Sequence, residues 1–113
     1  MSQITTHILD TTLGRPAAGV TIVLHDWAHE AGWREIARGV TNADGRLADL
    51  LLPEERLAHG AYQLRFLTQQ YFEQQHTTGF YPFVDICFVV TDDTHYHVPL
   101  LLNPFGYSTY RGS

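Results

Sequence analysis

The sequence predicts an all-β fold, an antiparallel β-sandwich of the immunoglobulin-like kind with about eight short strands and one short helix. Three observations predict it. Apolar and polar residues alternate with a period of two from end to end, helical periodicity is confined to one brief stretch, and turn-forming clusters recur at regular spacing. No alternation of strands with longer helices is present, which argues against a parallel α/β fold.

Residues 4–10, rich in Ile and Thr, read as the first strand and stop at the turn-prone Leu13-Gly14-Arg15-Pro16. Residues 19–24 place Val20, Ile22 and Leu24 on one face, the mark of a half-buried strand, and residues 26–32 read as a loop. Residues 33–41 resume an extended pattern. Asn42-Ala43-Asp44-Gly45 is a strong reversal signal, because these residue types tolerate positive φ, so Arg46 begins the next strand. Tyr62, Leu64 and Phe66 mark another half-buried strand. Residues 69–76 form the one plausible helix, polar except for Tyr71 and Phe72, and Gly79-Phe80-Tyr81-Pro82 breaks it. Strands over 84–90 and 95–102 follow, and Asn103-Pro104-Phe105-Gly106 turns the chain into its last strand.

At 113 residues, the chain reads as a single domain over 1–113. Apolar residues make up 44% and charged residues 17%, in keeping with a soluble globule, and no apolar run reaches the length of a membrane span. The opening residues lack a basic region followed by an apolar run, so a cytoplasmic location is expected. The net charge is -5 and lysine is absent. Nucleic-acid binding through a basic surface and Schiff-base chemistry on lysine are thereby excluded. The permanent cations are arginines, suited to planar recognition of carbonyl and carboxylate edges. Cys87, in the apolar run 84–90, is expected in the core.

The candidates for chemistry are histidines and arginines. His95 and His97 fall on one face of a strand. With His7 they would make a zinc set leaving one open position; the plainer reading leaves His95 solvated in the Asp92-Asp93-Thr94 turn. If Tyr96, Val98 and Leu100 face the core, His97 projects from the outer face with Pro99 and Leu101, a face too apolar to stay fully wet. His7 shares a face with Thr5 and Leu9. Arg46 follows its turn. Tyr110-Arg111-Gly112-Ser113 runs out of an apolar and aromatic stretch and is expected to be docked rather than frayed. No Gly-x-Ser-x-Gly elbow, phosphate loop or dinucleotide fingerprint occurs, so an enzyme of this sequence would activate water with histidine.

Several separated motifs carry a resemblance over nearly the whole chain. Thr6-His7-Ile8-Leu9-Asp10-Thr11 with Gly14-Arg15-Pro16-Ala17 is similar to the opening signature of the transthyretin-like 5-hydroxyisourate hydrolases. Thr41-Asn42-Ala43-Asp44-Gly45-Arg46 is similar to their central turn and arginine, and Phe80-Tyr81-Pro82 to the step after their helix. His95-Tyr96-His97-Val98-Pro99-Leu100-Leu101-Leu102, then Tyr107-Ser108-Thr109-Tyr110-Arg111-Gly112-Ser113, resembles their closing signature. Asn103 stands where many relatives are expected to carry serine.

The resemblance implies a transthyretin-like sandwich and the hydrolysis of 5-hydroxyisourate to 2-oxo-4-hydroxy-4-carboxy-5-ureidoimidazoline in urate breakdown. It implies a homotetramer, a dimer of dimers, with sites in clefts between subunits, and no metal or organic cofactor. His7, Arg46, His97 and Ser113 are the implied catalytic residues, and Tyr110, Arg111 and Gly112 the implied substrate-binding ones. In that scheme His7 and His97 jointly activate water. Arg46 and Arg111 stabilise developing charge, and Arg46 keeps the neighbouring imidazole neutral. Ser113 and the Tyr110 ring close the pocket. The rival reading is a transthyretin-like carrier of a small aromatic ligand.

Overall fold

The computed structural model describes residues 1–113 and consists of two packed sheets. Its strands are β1 (Ile4–Asp10), β2 (Arg15–Pro16), β3 (Thr21–Trp27), β4 (Trp33–Val40), β5 (Arg46–Leu47), β6 (Gly60–Phe66), β7 (Val84–Val90), β8 (Tyr96–Asn103) and β9 (Gly106–Thr109). One helix, α1 (Thr68–Gln74), follows β6, and a 3-10 turn spans His29–Ala31. The first sheet has the order β2-β1-β8-β9, with β5 also on β1, and the second has the order β4-β3-β6-β7. No helix is long and apolar enough to cross a membrane.

The alternation seen in the sequence decides which side of each strand is dry. Ile4 and Ile8 from β1 and Tyr96, Val98, Leu100 and Leu102 from β8 meet Ile22 and Leu24 from β3, Tyr62, Leu64 and Phe66 from β6, and Val84, Ile86 and Val90 from β7. Their burial removes apolar surface from water and is the main force holding the sheets together. The alternate residues of the first sheet, His7 and Leu9 on β1 and His97 and Leu101 on β8, remain partly exposed on its outer face.

Two features depart from the sequence expectation. The sandwich is not wholly antiparallel, because β1 and β8 pair in parallel from Ile4↔Tyr96 to Asp10↔Leu102. This pairing joins strands some ninety positions apart, and only the crossing of the chain between the two sheets permits it. Cys87 is exposed rather than in the core, because its neighbours Ile86 and Val90 take the inward side of β7. Its sulfur accepts a long contact from Gln63 Nε2 at 3.8 Å.

A polar node anchors the far end of β1. The buried Asp10 carboxylate accepts from the backbone N–H groups of Thr12 and Leu13 at 3.0 and 3.1 Å and from the Tyr71 hydroxyl at 2.7 Å. It therefore closes the first turn and fastens α1 to the sheet. Burial and the adjacent carboxylate both push the Tyr71 phenol well above its ordinary value, so it stays a donor.

Candidate active site

Four chain segments converge on the outer face of the first sheet. Thr5 lies opposite His97 in the β1–β8 pair, and His7 lies opposite Arg46 in the β1–β5 pair. The closing residues bring Gly112 back onto β8 opposite His97. Thr5, Arg46, His95, His97 and Ser113 line one open cleft, and His7 stands beside it, next to Arg46.

Arg46 is placed by its turn. Asn42 Oδ1 accepts from the N–H groups of Asp44 and Arg46 at 2.9 and 3.1 Å, and the Asn42 N–H donates to the Arg46 carbonyl at 2.9 Å. Gly45 completes the reversal at φ 71°, where a Cβ would come within 2.6 Å of the Ile8 carbonyl oxygen. Only glycine fits there, and the Gly45 carbonyl in turn accepts from the Ile8 N–H at 2.9 Å. The turn is thus riveted to the strand that carries His7.

The closing segment is docked. The Gly112 N–H donates to the His97 carbonyl at 2.8 Å, and Thr109 Oγ1 donates to the Pro99 carbonyl at 2.7 Å. A Cβ on Gly112 would fall 2.6 Å from His97 Cδ2 and 3.2 Å from Pro99 Cγ, so the glycine backbone lies flat against the imidazole. Pro99 is buried as a result. Gly112→Ala is therefore expected to displace the His97 ring or lift the segment. Because a shift of about 1 Å at a reacting group can cost about 10²-fold, initial rates should fall by at least about tenfold. The melting temperature should move little, since a single bridge is lost; a full-rate alanine variant would show that the packing is incidental.

Tyr110 and Arg111 lie elsewhere within one chain. They line a trench between β7 and β9 with Val89, Tyr96 and Val98. The Arg111 guanidinium sits 4.2 Å from the centre of the Tyr96 ring, a cation–π contact that helps hold the segment down.

Both site imidazoles are biased toward the neutral form. Burial lowers the His97 pKa below its ordinary 6.5, and the charges of His95, Arg46 and His7 lower it further. Burial and then Arg46 lower that of His7, against a smaller opposing pull from Asp44. Arg46 itself makes no ion pair, leaving its guanidinium free toward the cleft. The arrangement offers a neutral base at pH 7 beside an unpaired, planar cation.

Sequence reasoning gave Thr5 no role and gave His95 one only in the zinc alternative. Thr5 is buried, and its hydroxyl lies 2.7 Å from His95 Nε2 and 2.8 Å from His97 Nδ1. His95 is exposed but not merely solvated, since this bond ties it to the site. The signal was faint: Thr5 shares the face of His7, and His95 that of His97. No group of three His, Cys, Asp or Glu side chains is placed to hold a metal ion, so the zinc alternative lacks a complete protein donor set.

Comparison with known proteins bears on the family and the fold. The family model described as the HIUase/transthyretin family matches residues 4–112. The chain belongs to the HIUase/transthyretin family. It is 43% identical to the 5-hydroxyisourate hydrolase of Mus musculus, over 99% of this chain and 96% of that protein. It is 45% identical to that of Halalkalibacterium halodurans, over 98% of each. Among solved structures, sea bream transthyretin in complex with thyroxine superposes with a TM-score of 0.90 at 31% identity, covering 98% of this chain and 95% of that one. Klebsiella pneumoniae 5-hydroxyisourate hydrolase gives a TM-score of 0.84 at 38% identity, covering 97% and 98%. The fold is therefore common to a thyroxine-bound transthyretin and a 5-hydroxyisourate hydrolase, and the side chains in the cleft must decide between the two kinds of function.

Proposed function

We propose that this chain hydrolyses 5-hydroxyisourate to 2-oxo-4-hydroxy-4-carboxy-5-ureidoimidazoline, a step of urate breakdown. The observation that carries the reading is the convergence of His97, Arg46 and Ser113 on one cleft, with His7 beside them and both imidazoles favoured as neutral. A carrier of an apolar aromatic ligand would gain nothing from an unpaired guanidinium and two basic imidazoles there.

The chemistry follows from the groups. His97, with His7, removes a proton from water as the water oxygen attacks the ring amide carbonyl. Arg46 supplies a planar donor pair to the oxyanion that forms, at a position preorganised by its turn. Ser113 orients substrate or water at the mouth of the cleft. Gly112 allows close approach, and Arg111 fixes the closing segment through the Tyr96 ring. No step of this scheme calls on a metal or organic cofactor.

The half-exposed outer face of β1 and β8 suits coverage by another subunit, and the reading includes a homotetramer built as a dimer of dimers. The deciding experiment generates 5-hydroxyisourate in place by oxidising urate and follows its absorbance. Purified protein at catalytic amounts should speed the decay many-fold; decay at the uncatalysed rate would return the carrier reading.

A further inference from the structure

Thr5 occupies a position that the scheme above leaves unused. At 5% exposure it is largely buried, and its hydroxyl oxygen has two ring nitrogens as neighbours, His95 Nε2 at 2.7 Å and His97 Nδ1 at 2.8 Å. We propose that Thr5 is a positioning residue whose hydroxyl selects the His97 tautomer with Nε2 unprotonated, and that it relays the proton taken up by His97 to His95. The relay rests on the hydrolase reading; the tautomer does not.

A hydroxyl has one proton to give, whereas it can accept at its lone pairs. With both rings neutral and no third protein partner for the hydroxyl, its proton stays within the bridge, and the two contacts are then met in two ways. Either Thr5 donates to His97 Nδ1 and accepts from His95 Nε2–H, or it donates to His95 Nε2 and accepts from His97 Nδ1–H. The first places a proton on His97 Nε2, which then cannot act as a base. The second leaves an Nε2 lone pair. Arg46, which makes no ion pair and lines the same cleft, favours the second because its charge attracts a lone pair. Only the Thr5 hydroxyl gives His97 Nδ1–H an acceptor, however, so without it the Nε2–H form returns.

The proton balance closes along this chain. As water attacks the carbonyl carbon, its proton goes to His97 Nε2. His97 Nδ1–H then passes to Thr5 Oγ1 while the Thr5 hydroxyl proton passes to His95 Nε2. His97 is left neutral with a proton on Nε2, and His95 carries the positive charge. That residue is exposed and also borders a depression holding Asp93 and Arg56, so the charge leaves the half-buried His97 ring for a solvated one. When the ring C–N bond breaks, His97 Nε2–H protonates the departing nitrogen and both transfers reverse. One proton has moved from water to the amine.

The test uses three variants, T5V, which keeps shape and loses the hydroxyl, T5S, which keeps the hydroxyl, and H95F at an exposed position where folding is not at stake. Nitrogen NMR of the labelled imidazoles without substrate should show His97 protonated at Nδ1 in the original protein and T5S, and at Nε2 in T5V. With 5-hydroxyisourate, T5V should lose about 10²-fold in kcat with little change in KM, and T5S should recover most of it. H95F should lose about tenfold, as the proton has no further acceptor. An Nε2–H tautomer in the original protein, or an unmoved tautomer in T5V, overturns the selection role. Full turnover by H95F overturns the relay. If the original protein itself fails to hydrolyse the substrate, the hydrolase reading falls, while the NMR result still judges Thr5.

Discussion

Replacing His97 with asparagine is expected to reduce turnover of freshly generated 5-hydroxyisourate by about 10²- to 10⁴-fold, the range a positioned general base contributes. His97 is only partly buried, and its backbone bond to Gly112 does not involve the ring, so the variant should fold with a nearly unchanged melting temperature. Its KM should change little, because a proton acceptor acts mainly in the transition state. His7→Asn is expected to act in the same direction. The pH profile gives a second check. Since His97 and His7 both lie below the ordinary 6.5, the acid limb of kcat/KM should fall below that pH. Stability should follow the same sign: above 6.5 both rings are neutral whether the chain is folded or not. Below it the unfolded chain takes up protons first, so folding weakens as pH falls until the folded-state values are passed. An asparagine variant with full turnover would remove His97 from the chemistry.

The strands were legible in the sequence because a buried face repeats every two residues, and the inward facing of Val98 and Leu100 could be foreseen from that alone. Arg46 was legible because Asn42 and Gly45 mark a reversal whose chemistry is local. What the sequence concealed is register. Nothing near Thr5 announces that it will lie opposite His97, because that pairing depends on a parallel strand contact between opposite ends of the chain. The same gap hid the side chain of Arg111, which lies over Tyr96 in a separate trench, and the exposure of Cys87 on β7. Period-two patterning says which residues share a face. It does not say which strand will lie beside them, and the site is made by that neighbourhood.

Arg46→Gln separates two effects that a single loss of activity would merge. Glutamine can still offer one neutral donor, so the cation and its planar fork are what is removed. Losing an oxyanion donor of this kind costs about 10²- to 10³-fold in kcat, and that loss is expected here even at alkaline pH, where both imidazoles are already neutral. The second effect is on the imidazoles themselves. The Arg46 charge helps lower the values of both His7 and His97, so its removal should raise them and carry the acid limb of the profile upward, toward 6.5. At mildly acidic pH the variant should then lose more than at high pH. A rate loss without movement of the limb would mean that Arg46 touches substrate but does not tune the base. Movement of the limb without a loss at alkaline pH would mean the reverse, and the oxyanion role would pass to another donor in the cleft.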